Sequence, residues 1–120
     1  MKCSTGGEAA AKALIDLGVE YVFTLTGGHL NHIHMHLEGS PVKLIGTRHE
    51  QGATFMADAY GRMTGRPGVA MLTAGPGFTN ALTPIMHALF CNTPLLVIAG
   101  AAGIEHRDKL DLQDAPQIAA

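Results

Sequence analysis

The stretch GVAMLTAGPGFTNALTPI, residues 68–85, decides the fold. Val69–Thr73 is a short apolar run of the kind that forms a strand buried on both faces. Gly75-Pro76-Gly77 then turns the chain tightly. Phe78–Cys91 reads as a helix despite Pro84. Strand, glycine turn and helix together form the repeating unit of an α/β sheet.

The same unit recurs on both sides. Upstream, Ser4 and Thr5 can cap a helix over Glu8–Leu17, with apolar residues at Ala9, Ala13, Ile15 and Leu17 and a stop at Gly18. Tyr21–Leu25 is the first strand. Gly27-Gly28 turns into a helical stretch over His29–Leu37, and Gly39-Ser40-Pro41 breaks it. Val42–Thr47 is the second strand. His49–Thr64 is a helix closed by Gly65-Arg66-Pro67-Gly68. Downstream, Leu95–Gly100 is the fourth strand, and after Gly103 the chain turns polar as EHRDKLDLQD. Alternating helices and strands predict an α/β protein: an open parallel sheet with helices on both faces. Four strands are few for such a sheet, so residues 1–120 are expected to be one domain of something larger.

Composition narrows the function. With 47% hydrophobic and 15% charged residues, the chain has the makings of a core and is not disordered. Eight Lys and Arg against ten Asp and Glu, a net charge of −2, argue against a nucleic-acid binder. Cys3 and Cys91 form no CxxC pair and no zinc spacing, and read as inert thiols in a reducing compartment. The N-terminus MKCSTGGEAAAKAL has no signal-peptide core, and the apolar run Leu95–Ala99 is far short of the roughly 20 residues a bilayer span needs. A cytoplasmic protein with no membrane contact is expected.

In open α/β sheets, ligands bind beyond the carboxyl ends of the strands. Those ends carry Thr26-Gly27-Gly28-His29, Thr47-Arg48-His49-Glu50, Thr73-Ala74-Gly75-Pro76-Gly77 with Thr79-Asn80, and Gly100–Gly103 with Gln113 further on. Each turn taken singly is ordinary turn and cap chemistry. Taken together, the four point to a site. There is no GxGxxG, no GxxxxGK[ST] and no GxSxG, which argues against a dinucleotide fold, a P-loop NTPase and an α/β-hydrolase. His29, His32 and His36 share a helical spacing, but without HExxH or a nearby carboxylate no metal site is expected. His29, following the Gly-Gly turn, is the general acid/base candidate. Glu50 opens a helix and is backed by Ala53, Ala57 and Gly61. It is either a carboxylate that complements the helix dipole or one set where a flat ring or another helix can approach.

RHEQGATFMADAYGRMTG (48–65), GVAMLTAGPGFTNALTPI (68–85) and NTPLLVIAG (92–100) closely resemble the N-terminal, pyrimidine-binding domain of thiamine diphosphate-dependent enzymes, the acetolactate synthase and decarboxylase group. The resemblance runs from about Ser4 to Gln113. GGH at 27–29, TRHE at 47–50 and TAGPGFTNALTPI at 73–85 look most like benzaldehyde lyases within it. The resemblance implies a flavodoxin- or Rossmann-like fold and thiamine diphosphate as cofactor. It further implies that Glu50 hydrogen-bonds the aminopyrimidine ring and favours its imino tautomer. On the same resemblance, His29 would handle protons at the substrate hydroxyl and Gln113 would reach into the same site. Gly28, Thr73, Pro76 and Asn80 would form the wall facing the neighbouring subunit's cofactor.

Departures bear on the reading. Thr26-Gly27 stands where many relatives have Pro-Gly, and no Gly-Asp-Gly occurs. The resemblance therefore implies that magnesium and the diphosphate belong to a C-terminal domain absent from these residues. The partners it implies are a second subunit in a homodimer or higher oligomer, that C-terminal domain, and a small carbonyl substrate. Three readings stay open: one domain of a thiamine-dependent lyase or carboligase, a separate subunit of a split decarboxylase, and a non-catalytic dimerisation module.

Overall fold

Strand β3 (Gly68–Leu72) is buried along its whole length, as an apolar strand between two helical layers must be. The computed structural model describes residues 3–106, 109 and 111–119, so the polar stretch 105–114 lies partly outside the described residues. Around β3 the elements run α1 (Gly6–Asp16), β1 (Tyr21–Thr24), α2 (Asn31–Leu37), β2 (Lys43–Gly46), α3 (Glu50–Thr64), then α4 (Pro76–Asn80), α5 (Leu82–Phe90) and β4 (Leu95–Ala99). All pairings are parallel, in the order β2-β1-β3-β4. The direction of winding reverses between β1 and β3. In doubly wound sheets this switch point is where the carboxyl-edge crevice opens.

Side chains alternate across the sheet. Val22, Val69 and Met71 meet Ala11 and Leu14 of α1 and Leu37 of α2 on one face. Phe23, Ala70 and Leu72 meet Ala53 and Ala57 of α3 on the other. The expected α/β architecture, an open parallel sheet with helices on both faces, is therefore observed, with strand ends within a residue or two of those expected.

Four details differ from the sequence reading. Helix α1 is capped by Thr5, whose hydroxyl accepts from Glu8 N, but it starts at Gly6 and buries Ala11 and Leu14. Ala13 and Leu17 face solvent. The helix expected over Phe78–Cys91 is two helices meeting at Ala81. Pro84 has no N–H to offer the carbonyl four residues back, so α5 can only begin with Pro84 in its first turn. His29 lies in a 3₁₀ turn, Gly28–Leu30, and not in α2. It therefore does not share one regular helix face with His32 and His36, and His36 Nδ1 is engaged by His32 O at 2.6 Å. Among the described residues no group of His, Cys, Asp and Glu could hold a metal ion.

The fourth difference concerns the small-residue stripe. Ala53, Ala57 and Gly61 do not present a face to a partner. They let α3 press onto this chain's own sheet. A Cβ on Gly68 would overlap Ala57 O, and one on Gly61 would stand 2.5 Å from Pro94 O. Among the described residues, no helix is long and apolar enough to cross a membrane.

Candidate functional site

The segments that follow the strands at the carboxyl edge deliver the functional side chains, with Thr73 and Asn80 both coming after β3. Glu50 is the first residue of α3, and the preceding His49 caps the helix by accepting from Gln51 N through Nδ1. The start of the helix places Glu50 where the helix dipole favours negative charge. It is 8% exposed. Its Oε2 accepts a hydrogen bond from Asn80 Nδ2 at 3.0 Å. Among the described residues its Oε1 receives none.

Thr73, at the end of β3, is the hub of a second group. Its hydroxyl donates to Gln113 Oε1 at 3.3 Å and lies 3.3 Å from His29 Nδ1. Gly27 packs so closely on Thr73 that no side chain fits there. Gly77, in α4, joins the two groups. A Cβ built on it would sit 2.7 Å from Thr73 Cγ2 and 3.4 Å from Glu50 Oε1. The structure therefore brings together His29, Glu50, Thr73, Asn80 and Gln113. Gly28 and Pro76 lie on the same edge, exposed, and Pro76 opens α4, but neither bonds to the cluster.

One residue absent from the sequence reading organises the edge. Gln117 Oε1 accepts from Gly75 N at 2.7 Å, and its Nε2 donates to Gly100 O at 2.9 Å. It thereby ties the turn after β3 to the turn after β4. Gly75 holds φ 57°, and a Cβ there would meet Gln113 O at 2.6 Å. No local signal marks Gln117, because its partners are some 17 and 42 residues away. A separate hollow of about 430 Å³ lies at the opposite, amino end of the strands, between Leu17, Tyr21, Tyr60 and Leu95. Its guanidinium, Arg66, is already committed to Glu20 and Gly18 O.

The donor set tests whether an aminopyrimidine fits. A buried carboxylate with a free acceptor oxygen suits a ring N–H. The missing Cβ of Gly77 leaves room beside that oxygen. Both features fit the group.

Comparison with known proteins agrees with this geometry. Residues 4–120 match the family model described as "Thiamine pyrophosphate enzyme, N-terminal TPP binding domain". A 2-hydroxyacyl-CoA lyase 2 from Danio rerio is 44% identical over 113 residues, 94% of this chain. A "Probable 2-ketoarginine decarboxylase" from Pseudomonas aeruginosa is 45% identical over 98 residues, 82% of the chain. A "Probable acetolactate synthase" from Mycobacterium bovis is 44% identical over 96 residues, 80% of the chain. The chain spans about 18% of the length of each of these relatives. It belongs to the thiamine pyrophosphate enzyme family as an N-terminal TPP-binding domain, and its cofactor is thiamine diphosphate.

Proposed function

We propose that this chain forms the pyrimidine side of the active site in a thiamine-dependent lyase or carboligase. The observation that carries the reading is Glu50: a buried carboxylate at the carboxyl edge of the sheet, with one oxygen held by Asn80 and the other, beside Gly77, without a partner among the described residues. When bound, thiamine diphosphate supplies the nucleophilic carbon and the electron sink for making or breaking a C–C bond next to a carbonyl. Glu50 would hold the aminopyrimidine ring. Asn80 fixes the carboxylate's direction. His29 would give or take a proton at a substrate hydroxyl, with Thr73 orienting the ring and Gln113 lining the same pocket. Gly28 and Pro76 shape the wall around it.

The diphosphate and magnesium would be held by a C-terminal domain, on the same longer protein or on a separate chain. The relatives' greater length supports this. A homodimer or higher oligomer is the assembly we propose. Exposed apolar side chains away from α3 and α5 support it: Leu17 is 76% exposed and Met35 66%. The unpaired Cys3 and Cys91 suit a reducing compartment such as the cytoplasm.

The test is a titration of this chain with thiamine diphosphate, followed by amide NMR. Weak, magnesium-independent binding centred on Glu50, Gly77 and Asn80 is expected. Undisturbed amides at these positions sink the site. Tight, magnesium-dependent binding sinks the assignment of the diphosphate to another domain.

A further inference from the structure

Away from the candidate site, one cluster joins a nucleophile, a base and a buried carboxylate. The Asp58 side chain on α3 is only 4% exposed. Its Oδ2 lies 2.9 Å from His87 Nδ1 on α5, and its Oδ1 is buried with no partner among the described residues. On the other side of the ring, His87 Nε2 is 3.8 Å from Cys91 Sγ. Cys91 is exposed and unpaired at the end of α5. The carboxylate oxygen accepts, so Nδ1 carries the imidazole proton and Nε2 turns its lone pair to the thiol. The Phe55 ring meets His87 edge-on, centroids 5.9 Å apart, and limits its rotation. A nucleophile within reach of a base, itself oriented by a third group, is the arrangement that activates thiols.

We propose that Cys91 is a reactive thiol, activated by His87 and positioned through Asp58, that exchanges with small disulfides bearing carboxylates. Phe55, Ala59, Arg62 and Met63 line a depression shared with His87 and Asp58. Its apolar wall accepts the carbon skeleton of such a molecule, and Arg62 suits its carboxylate. In the step, His87 Nε2 takes the Cys91 proton. The thiolate attacks one sulfur of the disulfide, and a new S–S bond forms to Cys91. The original S–S bond breaks, and the departing thiolate takes the proton back from the imidazolium. Without His87, Cys91 would sit at a helix C-terminus, whose dipole opposes a thiolate. The imidazole is therefore the element on which reactivity depends.

Cys3 provides the internal control, since it is half-buried and has no imidazole hydrogen-bonded to it among the described residues. The experiment follows mixed-disulfide formation with glutathione disulfide at pH 7 by intact mass, using Cys3→Ser to isolate Cys91 and Cys91→Ser to isolate Cys3. Cys91 is expected to react at least about tenfold faster than Cys3, and His87→Gln to remove that advantage. Asp58→Asn is expected to lower the Cys91 rate and Asp58→Glu to restore part of it. Circular dichroism of each variant confirms the fold, and His87, 42% exposed, tolerates replacement better than Asp58. Equal rates at Cys91 and Cys3, or a Cys91 rate unchanged in folded His87→Gln, overturn the proposal.

Discussion

The hydroxyl of Thr73 stands 3.3 Å from Nδ1 of His29, and the relationship has a direction. Thr73 has one proton, and it goes to Gln113 Oε1. His29 must then donate from Nδ1, which leaves Nε2 with its lone pair. The Thr73 hydroxyl thus decides which nitrogen of His29 can act as a base.

Thr73→Val removes the acceptor without changing the size of the side chain. The ring-nitrogen chemical shifts of His29 should move away from the Nδ1–H form, and Thr73→Ser should retain it. In the intact enzyme, turnover should fall about tenfold, a part of the typical general acid/base contribution. Shifts unchanged in Thr73→Val would break the link.

Glu50 and His29 should separate by the step they serve. In the intact enzyme, Glu50→Gln should slow hydrogen exchange at the cofactor's thiazolium carbon, whatever the carbonyl substrate. His29→Ala should leave that exchange intact and lower turnover of a 2-hydroxy ketone by about 10²–10⁴-fold. Exchange lost in His29→Ala, or untouched in Glu50→Gln, reverses the assignment.

The bond from Asn80 to Glu50 should be measurable as a coupling. Asn80→Ala should cost about 1.5 kcal/mol, the low end of the range for a hydrogen bond to a charged acceptor, because Asn80 is itself exposed. In a Glu50→Gln background the same change should cost less. A double-mutant cycle by urea denaturation checks this, and strict additivity would refute it.

Two glycines make a paired prediction. A Cβ on Gly68 would overlap the backbone oxygen of Ala57, and neither strand nor helix can withdraw cheaply. Gly68→Ala should destabilise by about 3 kcal/mol or prevent folding. Gly28 has nothing within 4 Å, so Gly28→Ala should change stability by less than about 0.5 kcal/mol. Thermal melts of the two variants settle it.

Stability should fall as pH drops below neutrality, in part through His34. Thr24 donates its hydroxyl to Met71 O at 2.8 Å, so His34 Nε2, 3.3 Å away, is the donor in their contact. Burial holds the His34 pKa below its ordinary value of 6.5. The unfolded chain binds a proton at pH 6.5 that the folded chain resists, so this contribution to stability is present above pH 6.5 and is lost as pH falls from there through the lowered folded value. Glu38 shares the same surface hollow. His34→Gln should flatten the pH dependence of the denaturation midpoint. An unchanged slope would show that burial at His34 does not matter.

The sequence by itself determined the strands, their parallel order of alternation with helices, and the strand ends that carry His29, Glu50, Thr73 with Asn80, and Gln113. These are local signals: apolar runs, glycine turns and helix starts are written in adjacent residues. What the small stripe Ala53, Ala57 and Gly61 touches was not legible, because a close-packing face suits a neighbouring subunit and the chain's own sheet equally well. Only tertiary packing assigns it to the sheet. The break at Ala81 needed the position of Pro84 within the first turn of α5. The clamp of Gln117 on Gly75 and Gly100, the pairing of Asp58 with His87, and the bond from His29 to Thr73 join residues 17 to 44 positions apart. Hydrogen bonds of that reach leave no period in the sequence; they exist because the parallel sheet brings the carboxyl ends of its strands to one edge and packs α3 against α5.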